Sequence, residues 1–365
     1  MSFIVDYAEG LQEIRTRLSD NTLINDPTNY SKLTGTIDFL LNPALNSSEI
    51  QTKMMESSEK SQYRPVQVKY QPQWGDEDLL TDDASVVCDP NNQRRWEIDT
   101  YNADLFAYNK FTLEENYLRQ VLEDGESIRG SALEQGILKS MRICRESISS
   151  QLLAGLVSNI GTNPAQNAAA GAYTDVQMLN SDGGADVVNF DFIVNDLEEN
   201  FMKGPVAIIG QGGNSNSNKY FNRLAVGNLN TNAGVDVAEI ANQFGMLYFK
   251  DQSVTANLGA ADRVLAVYPG LSQMYGYNLY RGDTVIQSTD HVLHMTMPDP
   301  IYPILWDVKV KYDENCSTGN GLEGKWVVHV FKYFGLFTTP TAAFGGVYDD
   351  LAGFNGVLGY NITSA

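Results

Sequence analysis

Cysteine is scarce in this 365-residue chain, with Cys88, Cys144 and Cys316 far apart, odd in number and without CxxC or ligand-pair spacing. Neither a disulfide framework nor a zinc module is expected, and the three read as reduced thiols. Basic residues are also few: 25 Lys and Arg stand against 45 Asp and Glu, a net charge of -20. A sequence-independent grip on DNA or RNA needs cations to neutralise phosphates and release counterions, so this balance disfavours it. No apolar run approaches the ~20 residues that span a bilayer. The opening MSFIVDYAEGLQEIRTRL has early acidic residues and no small-residue cleavage site, so it is not expected to be a secretory signal, and a cytoplasmic product is expected. Histidine is limited to His291, His294 and His329.

Apolar residues make up 43% of the chain, enough at this length to bury a core shared by one elaborated domain or two to three subdomains. Ile4, Tyr7, Ala8, Leu11, Ile14 and Leu18 recur at helical steps, with Glu9, Glu13 and Arg17 elsewhere, which predicts a short amphipathic helix over 3–18. Residues 19–61 are polar and broken by Pro27 and Pro43, an extended arm with brief helical stretches at Thr34–Leu41 and Ser48–Met55. VQVKYQPQW (66–74) and RRWEIDTYNADLFAYNKFTL (94–113) are β-rich and flank an acidic, turn-prone segment, which predicts a long two-stranded excursion. An isolated hairpin is marginal in water, so it must lie on something else.

Between Gly130 and Asn159, Leu133, Ile137, Met141, Cys144, Ile148, Leu152 and Leu156 define a helix of roughly 40 Å, with Glu134, Arg142, Arg145 and Glu146 mostly on another face. Gly161 and Pro164 end it. Helix and strand then alternate: DFIVNDLEENFM, with Asp191 a candidate cap, then PVAIIG, two helical segments at 217–228 and 235–245, MLYFKD and RVLAVYPG. IYPILWDVKVKYDE (301–314) and KWVVHVFKYFGLFTTP (325–340) form a long hairpin by pattern, and the Gly- and aromatic-rich tail after Pro340 has no clear element.

Taken in this order, arm, β excursion, long helix, mixed α/β region and closing hairpin resemble the Hong Kong 97-type major capsid proteins of tailed bacteriophages. The segment Tyr333, Phe334, Gly335, Leu336 and Phe337 before a proline is similar to the family's aromatic, glycine, aromatic ending. The resemblance implies an α+β Hong Kong 97-like fold. It divides the chain into an N-terminal arm (1–60), an E-loop (61–112), a P domain with a spine helix (113–189 and 295–340), an A domain (190–294) and a C-terminal tail (341–365). It also implies a non-catalytic protein without cofactor or metal that self-assembles in hexamers and pentamers into an icosahedral head shell, a virion component put together in the host cytoplasm. Its expected partners are further copies, portal, scaffolding or decoration proteins, and packaged double-stranded DNA held without sequence-specific binding; no membrane is involved. Aromatic residues dominate many interfaces, so Trp74, Trp96, Tyr101, Phe106 and Tyr108 are the candidate contacts between subunits. Some members of the family cross-link by isopeptide bonds, for which Lys69 and Lys110 in the expected E-loop are the candidate amines, but each reads as an ordinary solvated lysine.

Rival chemistry finds less footing. GQGGNSNSNK (210–219) follows a strand and opens a helix, but Ser215 stands where a dinucleotide fingerprint needs glycine, and Asn218, Lys219 and Tyr220 replace the Gly-Lys-Ser/Thr of a P-loop. His291 and His294, with Asp290 or Asp299, invite a metal, yet a three-residue step on a strand puts the two rings on opposite faces. Val328, Val330, Lys332 and Phe334 share one face of the last strand and Val327, His329, Phe331 and Tyr333 the other, which reads as a buried strand. The alternatives are an encapsulin-like compartment with the same fold, or a hydrolase or nucleotide-binding enzyme in the 190–294 region.

Overall fold

The computed structural model describes residues 2–23, 26, 29–42, 51–54, 65–70, 97–114, 117, 131–177, 179–182, 185–188, 191–200, 205–213, 215–218, 246–280, 286–287, 292–313, 317–318, 321–322, 324–340 and 353–363. Helix α1 spans Ser2–Ser19 and α2 spans Gly35–Leu40. Strands β1 (Gln51–Met54), β2 (Pro65–Tyr70), β3 (Glu97–Asn102) and β4 (Leu105–Glu114) precede the 27-residue helix α3 (Ala132–Ser158). Next come β5 (Tyr173–Gln177), β6 (Leu179–Asp182), β7 (Ala185–Val188), α4 (Asp191–Glu199) and β8 (Val206–Gly210). Then follow β9 (Met246–Lys250), α5 (Val254–Leu258), β10 (Arg263–Val267), β11 (Ser272–Tyr277), β12 (Ile286–Gln287), β13 (Val292–Pro298) and β14 (Leu305–Asp313). The short pair β15 (Ser317–Thr318) and β16 (Gly321–Leu322) leads to the 14-residue β17 (Lys325–Thr338) and finally to β18 (Val357–Thr363). The mixture of helix and sheet is the α+β class that the resemblance implied. The expected helices at 217–228, beyond Asn218, and 235–245 lie outside the described residues.

Two compact units divide the chain, one built from Met1–Lys32, Asp104–Ile148 and Gly276–Phe334, the other from Leu33–Ala103, Ser149–Tyr275 and Gly335–Ala365. In the first, β17 pairs antiparallel with β4 on one edge and β14 on the other, and β14 continues to β13. Strand alternation gives this sheet two different faces. Val328 and Val330 lie opposite Phe111 and Asn109 of β4 and opposite Val310 and Val308 of β14, and this face meets α3. Asn109 Nδ2 donates to Ser140 Oγ at 3.1 Å and the Cys144 thiol lies 3.6 Å from the Val330 carbonyl. Phe111 lies so close under Gly136 that a Cβ there would stand 2.4 Å from its ring, so the helix approaches the strand only because residue 136 has no side chain. Buried Leu133, Ile137, Met141, Cys144 and Ile148 supply the helix's stripe. Each such aliphatic side chain removed from water contributes ~1.5–3 kcal/mol. Helix α1 packs on β13, its Tyr7, Leu11, Ile14 and Leu18 are buried, and the Tyr7 and Trp326 rings lie 4.4 Å apart.

Glu134 and Arg145, anticipated on the polar face of α3, are buried at 2% and 0% exposure. Each has an opposite charge to meet, which is what makes the burial tolerable. Arg17 of α1 forms an ion pair with Glu134. Arg145 Nε lies 3.6 Å from Asp299 Oδ2, an ion pair too long to be a hydrogen bond, while its Nη2 donates to the Asn29 carbonyl at 3.2 Å. Asp299 in turn accepts from Trp306 Nε1 at 2.9 Å and from the backbone N–H groups of Ile301 and Tyr302 at 2.8 and 3.0 Å.

In the second unit a five-stranded sheet runs β5, β18, β10, β8, β9. The β8–β9 and β5–β18 pairs are parallel, and β10 is antiparallel to both β8 and β18. Val206 to Gly210 are all buried, as expected of an interior strand without alternation. Asp251, 1% exposed, joins the pieces. Its Oδ2 accepts from Thr36 N, Thr36 Oγ1 and Ser149 Oγ at 3.1, 2.7 and 2.6 Å, and its Oδ1 from Ser253 N and Oγ at 2.8 and 2.6 Å. One carboxylate thereby secures α2, the second half of α3 and the start of α5.

Three local expectations are corrected. The stretch Ser48–Met55 is not helical where it is described: Gln51–Met54 is strand, because pairing with Val66–Lys69 satisfies the open edge of β2, a tertiary demand that outweighs helix propensity. The β excursion is three-stranded, β1-β2-β3, and β4 belongs instead to the sheet of β17, with only Ala103 and Asp104 between β3 and β4 in the sequence. The tail carries a strand, β18, whose Val357, Leu358, Tyr360 and Ile362 are buried in the five-stranded sheet. Its Gly359 masks the pattern but is required, since a Cβ there would stand 2.8 Å from the Tyr173 ring.

Substituting Asp299→Ala strands Arg145 without its counter-charge, and urea unfolding followed by tryptophan fluorescence should show a loss of about 3–5 kcal/mol. Ile301→Ala, at a side chain 43% exposed in the same turn, should change little.

Candidate functional site

The outer face of the sheet in the first unit is the best candidate surface. Reading across the strands, His294, Lys309, His329 and Lys110 occupy one rung. One rung toward the chain's aromatic segment stand Thr296, Asp307, Phe331 and Tyr108, and beyond them Tyr333 beside Phe106. In the other direction Lys311, Val327 and Thr112 align. The face is thus graded from aromatic to basic, in a chain whose overall charge is strongly negative.

Phe106 and Tyr108 are 40% and 41% exposed although both are large. Their rings stack 5.8 Å apart, and Phe106 leans on Tyr333 at 4.6 Å, so they are held in place while still open to solvent. The Tyr108 hydroxyl meets His329 Nδ1 at 2.9 Å, and Tyr280 covers His294 with centroids 4.1 Å apart. Lys110, Lys309 and Lys311 have no ion-pair partner among the described residues. Burial, and then the charge of Lys309, holds the His294 imidazole below its usual pKa; His329 is lowered by burial and by Lys309, Lys110 and Lys311.

Of the five interface candidates, Phe106 and Tyr108 come together here on β4. Tyr101 does not: it lies on β3 in the other unit, half-buried, with its ring edge-on to Phe337 at 5.3 Å. Trp74 and Trp96 lie outside the described residues, as do Cys88, Cys316, Asp290 and His291. Lys110 is exposed and Lys69 half-buried on β2.

A metal is poorly served by the two described histidines. Lys309 stands between them in the register, and its charge opposes a cation as well as a proton. Among the described residues no group of three or more His, Cys, Asp or Glu converges. Cys144 is free and buried, its thiol pushed up to about 12 by burial, which makes it a packing residue and not a nucleophile. In the loop after β8 the backbone N–H of Asn216, the kind of donor a phosphate would use, already donates to Asp262 at 2.7 Å. Among the described residues no helix is long and apolar enough to cross a membrane.

No protein-family model and no curated protein matches this chain. Among solved structures it is similar to the capsid of the Cyanophage P-SCSP1u, with 9% identity, 86% of each chain covered and a TM-score of 0.39. It is similar to a structure of Mycobacterium phage Che8 at 9% identity, covering 81% of this chain and 84% of that one, TM-score 0.35. For the capsid of Staphylococcus phage Andhra the identity is 10%, the coverage 93% and 87%, and the TM-score 0.34.

Because folding lowers both histidine pKa values, the unfolded chain binds more protons near their ordinary value of about 6.5. Their contribution to stability is fully present above that pH and is lost as pH falls through it toward the folded values. Urea midpoints between about pH 7.5 and 5 should therefore fall less steeply in His294→Gln/His329→Gln than in the parent chain.

Proposed function

We propose that this chain is the shell-building major capsid protein of a tailed bacteriophage, of the Hong Kong 97 type, with a structural and not a catalytic role. The observation that carries the reading is the order of its elements. Helices α1 and α2 precede the three-stranded β1-β2-β3 excursion, in which residues 71–96 lie between β2 and β3, then comes the 27-residue α3, then a unit around a five-stranded sheet, then the antiparallel β14–β17 hairpin. Copies would tile a closed head around packaged double-stranded DNA, in hexamers and pentamers, with portal, scaffolding or decoration proteins as further partners.

Phe106 and Tyr108 are the proposed contact residues on the described surface, with Trp74, Trp96 and Tyr101 as the remaining candidates. Held aromatic side chains lose little entropy on docking, and widely spread contacts of ~25 cal/mol per Å2 stabilise a lattice without one strong site. An encapsulin-like compartment would share this architecture and enclose protein cargo in place of nucleic acid.

Negative-stain microscopy of the expressed chain should show closed shells, tubes or capsomer rings, and nuclease-protected DNA or co-purified protein inside them separates the two containers. Phe106→Ser/Tyr108→Ser should keep the monomer's circular dichroism but weaken assembly by about 2 kcal/mol, roughly thirtyfold in the threshold concentration. A parent chain that stays monomeric at high concentration, with scaffold supplied, would sink the proposal.

A further inference from the structure

The outer face of the first unit's sheet sets two chemistries side by side. Lys309 and Lys110 are the register neighbours of His329 on its two sides, and Lys311 follows Lys309 on the same face of β14. Lys110 and Lys311 are exposed, Lys309 and His329 half-buried. All three amines lie near enough to His329 to add to the effect of burial in holding its imidazole below the usual pKa. The next residues of β4 on this face are Tyr108 and then Phe106, two rings within 14° of parallel and both open to solvent. The cationic band has a far edge as well. Beyond Lys311, Val327 and Thr112 the next rung is Asp313, Lys325 and Glu114, where acids outnumber the base.

Three amines without an ion-pair partner among the described residues repel one another, and a polyanion laid across them relieves that repulsion. The neighbours decide which polyanion fits. Strands β4, β13, β14 and β17 contain no arginine, the residue whose planar fork pairs with carboxylates, whereas lysine is a point charge suited to phosphates. Exposed aromatic rings beside the cations suit unpaired bases, which stack on them whatever the sequence. A duplex fits less well, because its bases are already stacked on one another and it carries twice the charge per length. The carboxylates of Asp313 and Glu114 also stand at the edge that a wider polyanion would cover.

We propose that this face binds single-stranded nucleic acid, with phosphates on Lys110, Lys309 and Lys311 and bases against Tyr108 and Phe106. His329 contributes without a charge. Burial keeps the Tyr108 phenol protonated, and with that proton donated to Nδ1 at 2.9 Å the ring's one hydrogen sits on Nε2, a neutral donor for a phosphate oxygen. The net charge of -20 opposes nucleic acid at a distance, so binding is confined to this band and is weak for one chain. A second copy seated on Phe106 and Tyr108 would exclude the strand. The inference therefore concerns the free chain and does not depend on whether shells form.

Fluorescence anisotropy of a labelled oligothymidylate of about 15 nucleotides tests this on the full chain. The measurement is made at concentrations where sedimentation velocity shows only monomer, so assembly does not enter. The parent should bind at low salt, with log K falling against log salt at a slope of about -2, as three neutralised phosphates require. Lys110→Gln/Lys309→Gln should cut that slope to about -0.7. Phe106→Leu should weaken binding about tenfold and leave the slope as it was. Should the double variant fail to fold, Lys110→Gln alone, at an exposed side chain, should still lower the slope by about 0.7. A folded parent that does not bind at low salt, or a slope unmoved by loss of the lysines, overturns the proposal. So does a duplex of the same length that binds more tightly than the single strand. Polyglutamate held as tightly as the strand overturns it in favour of an acidic polypeptide partner.

Discussion

The register of β17 is the constraint on which the first unit depends. This strand is paired on both edges over Lys325–Phe331, so each of its residues is fixed against two neighbours at once. A slip of one residue would bring His329 and Phe331 under α3 and turn Val328, Val330 and Phe334 outward, exchanging the two faces wholesale. Polar contacts guard against that slip from both sides. The Cys144 thiol of α3 meets the Val330 carbonyl in the observed alignment, and Asn109 of the neighbouring β4 is tied to Ser140 of the same helix. On the opposite strand Asp307 can collect the N–H groups of Leu279 and Tyr280 only when β14 is in place. The graded outer face, with its aromatic end and its lysines, is a consequence of the same register.

Charge is the second constraint. A chain of -20 repels its copies, and a lattice of such chains needs either screening or surfaces where the local sign differs from the total. The rung of Lys309, His329 and Lys110 beside Lys311 is one such surface. At physiological salt a charge is felt over only ~8 Å, so a cluster of this size can act on a partner independently of the acidic remainder. Inside the fold the opposite rule holds. Arg145, Glu134 and Lys332 are buried, and each meets an opposite or hydrogen-bonding group, because the interior does not screen.

Periodicity carried α1, α3 and the β14–β17 hairpin into view from the amino-acid sequence, since each is long enough to repeat its pattern several times. Where an element is short, its partners decide. Strand β1 exists because β2 offers an edge, and β18 completes a sheet whose other strands lie far away in the chain. The candidate surface was legible in part: Phe106 and Tyr108 were recognisable as aromatic residues on a strand, but their placement beside His329 and Tyr333 depends on β4 leaving the excursion. Arg145 looked like a surface charge on an amphipathic helix, and only the fold supplies Asp299. The buried contact of Lys332 with Asn278 left one sequence signal, a lysine on the apolar face of β17, and its partner comes from another segment, so spacing along the chain could not join them.

If copies of this chain are built to associate against their own repulsion, sedimentation velocity over a range of salt concentrations tests it most directly. The account predicts a discrete, very large species that appears at lower protein concentration as salt rises and repulsion is screened. A single monomer boundary at every salt concentration, for a chain shown to be folded, would contradict it.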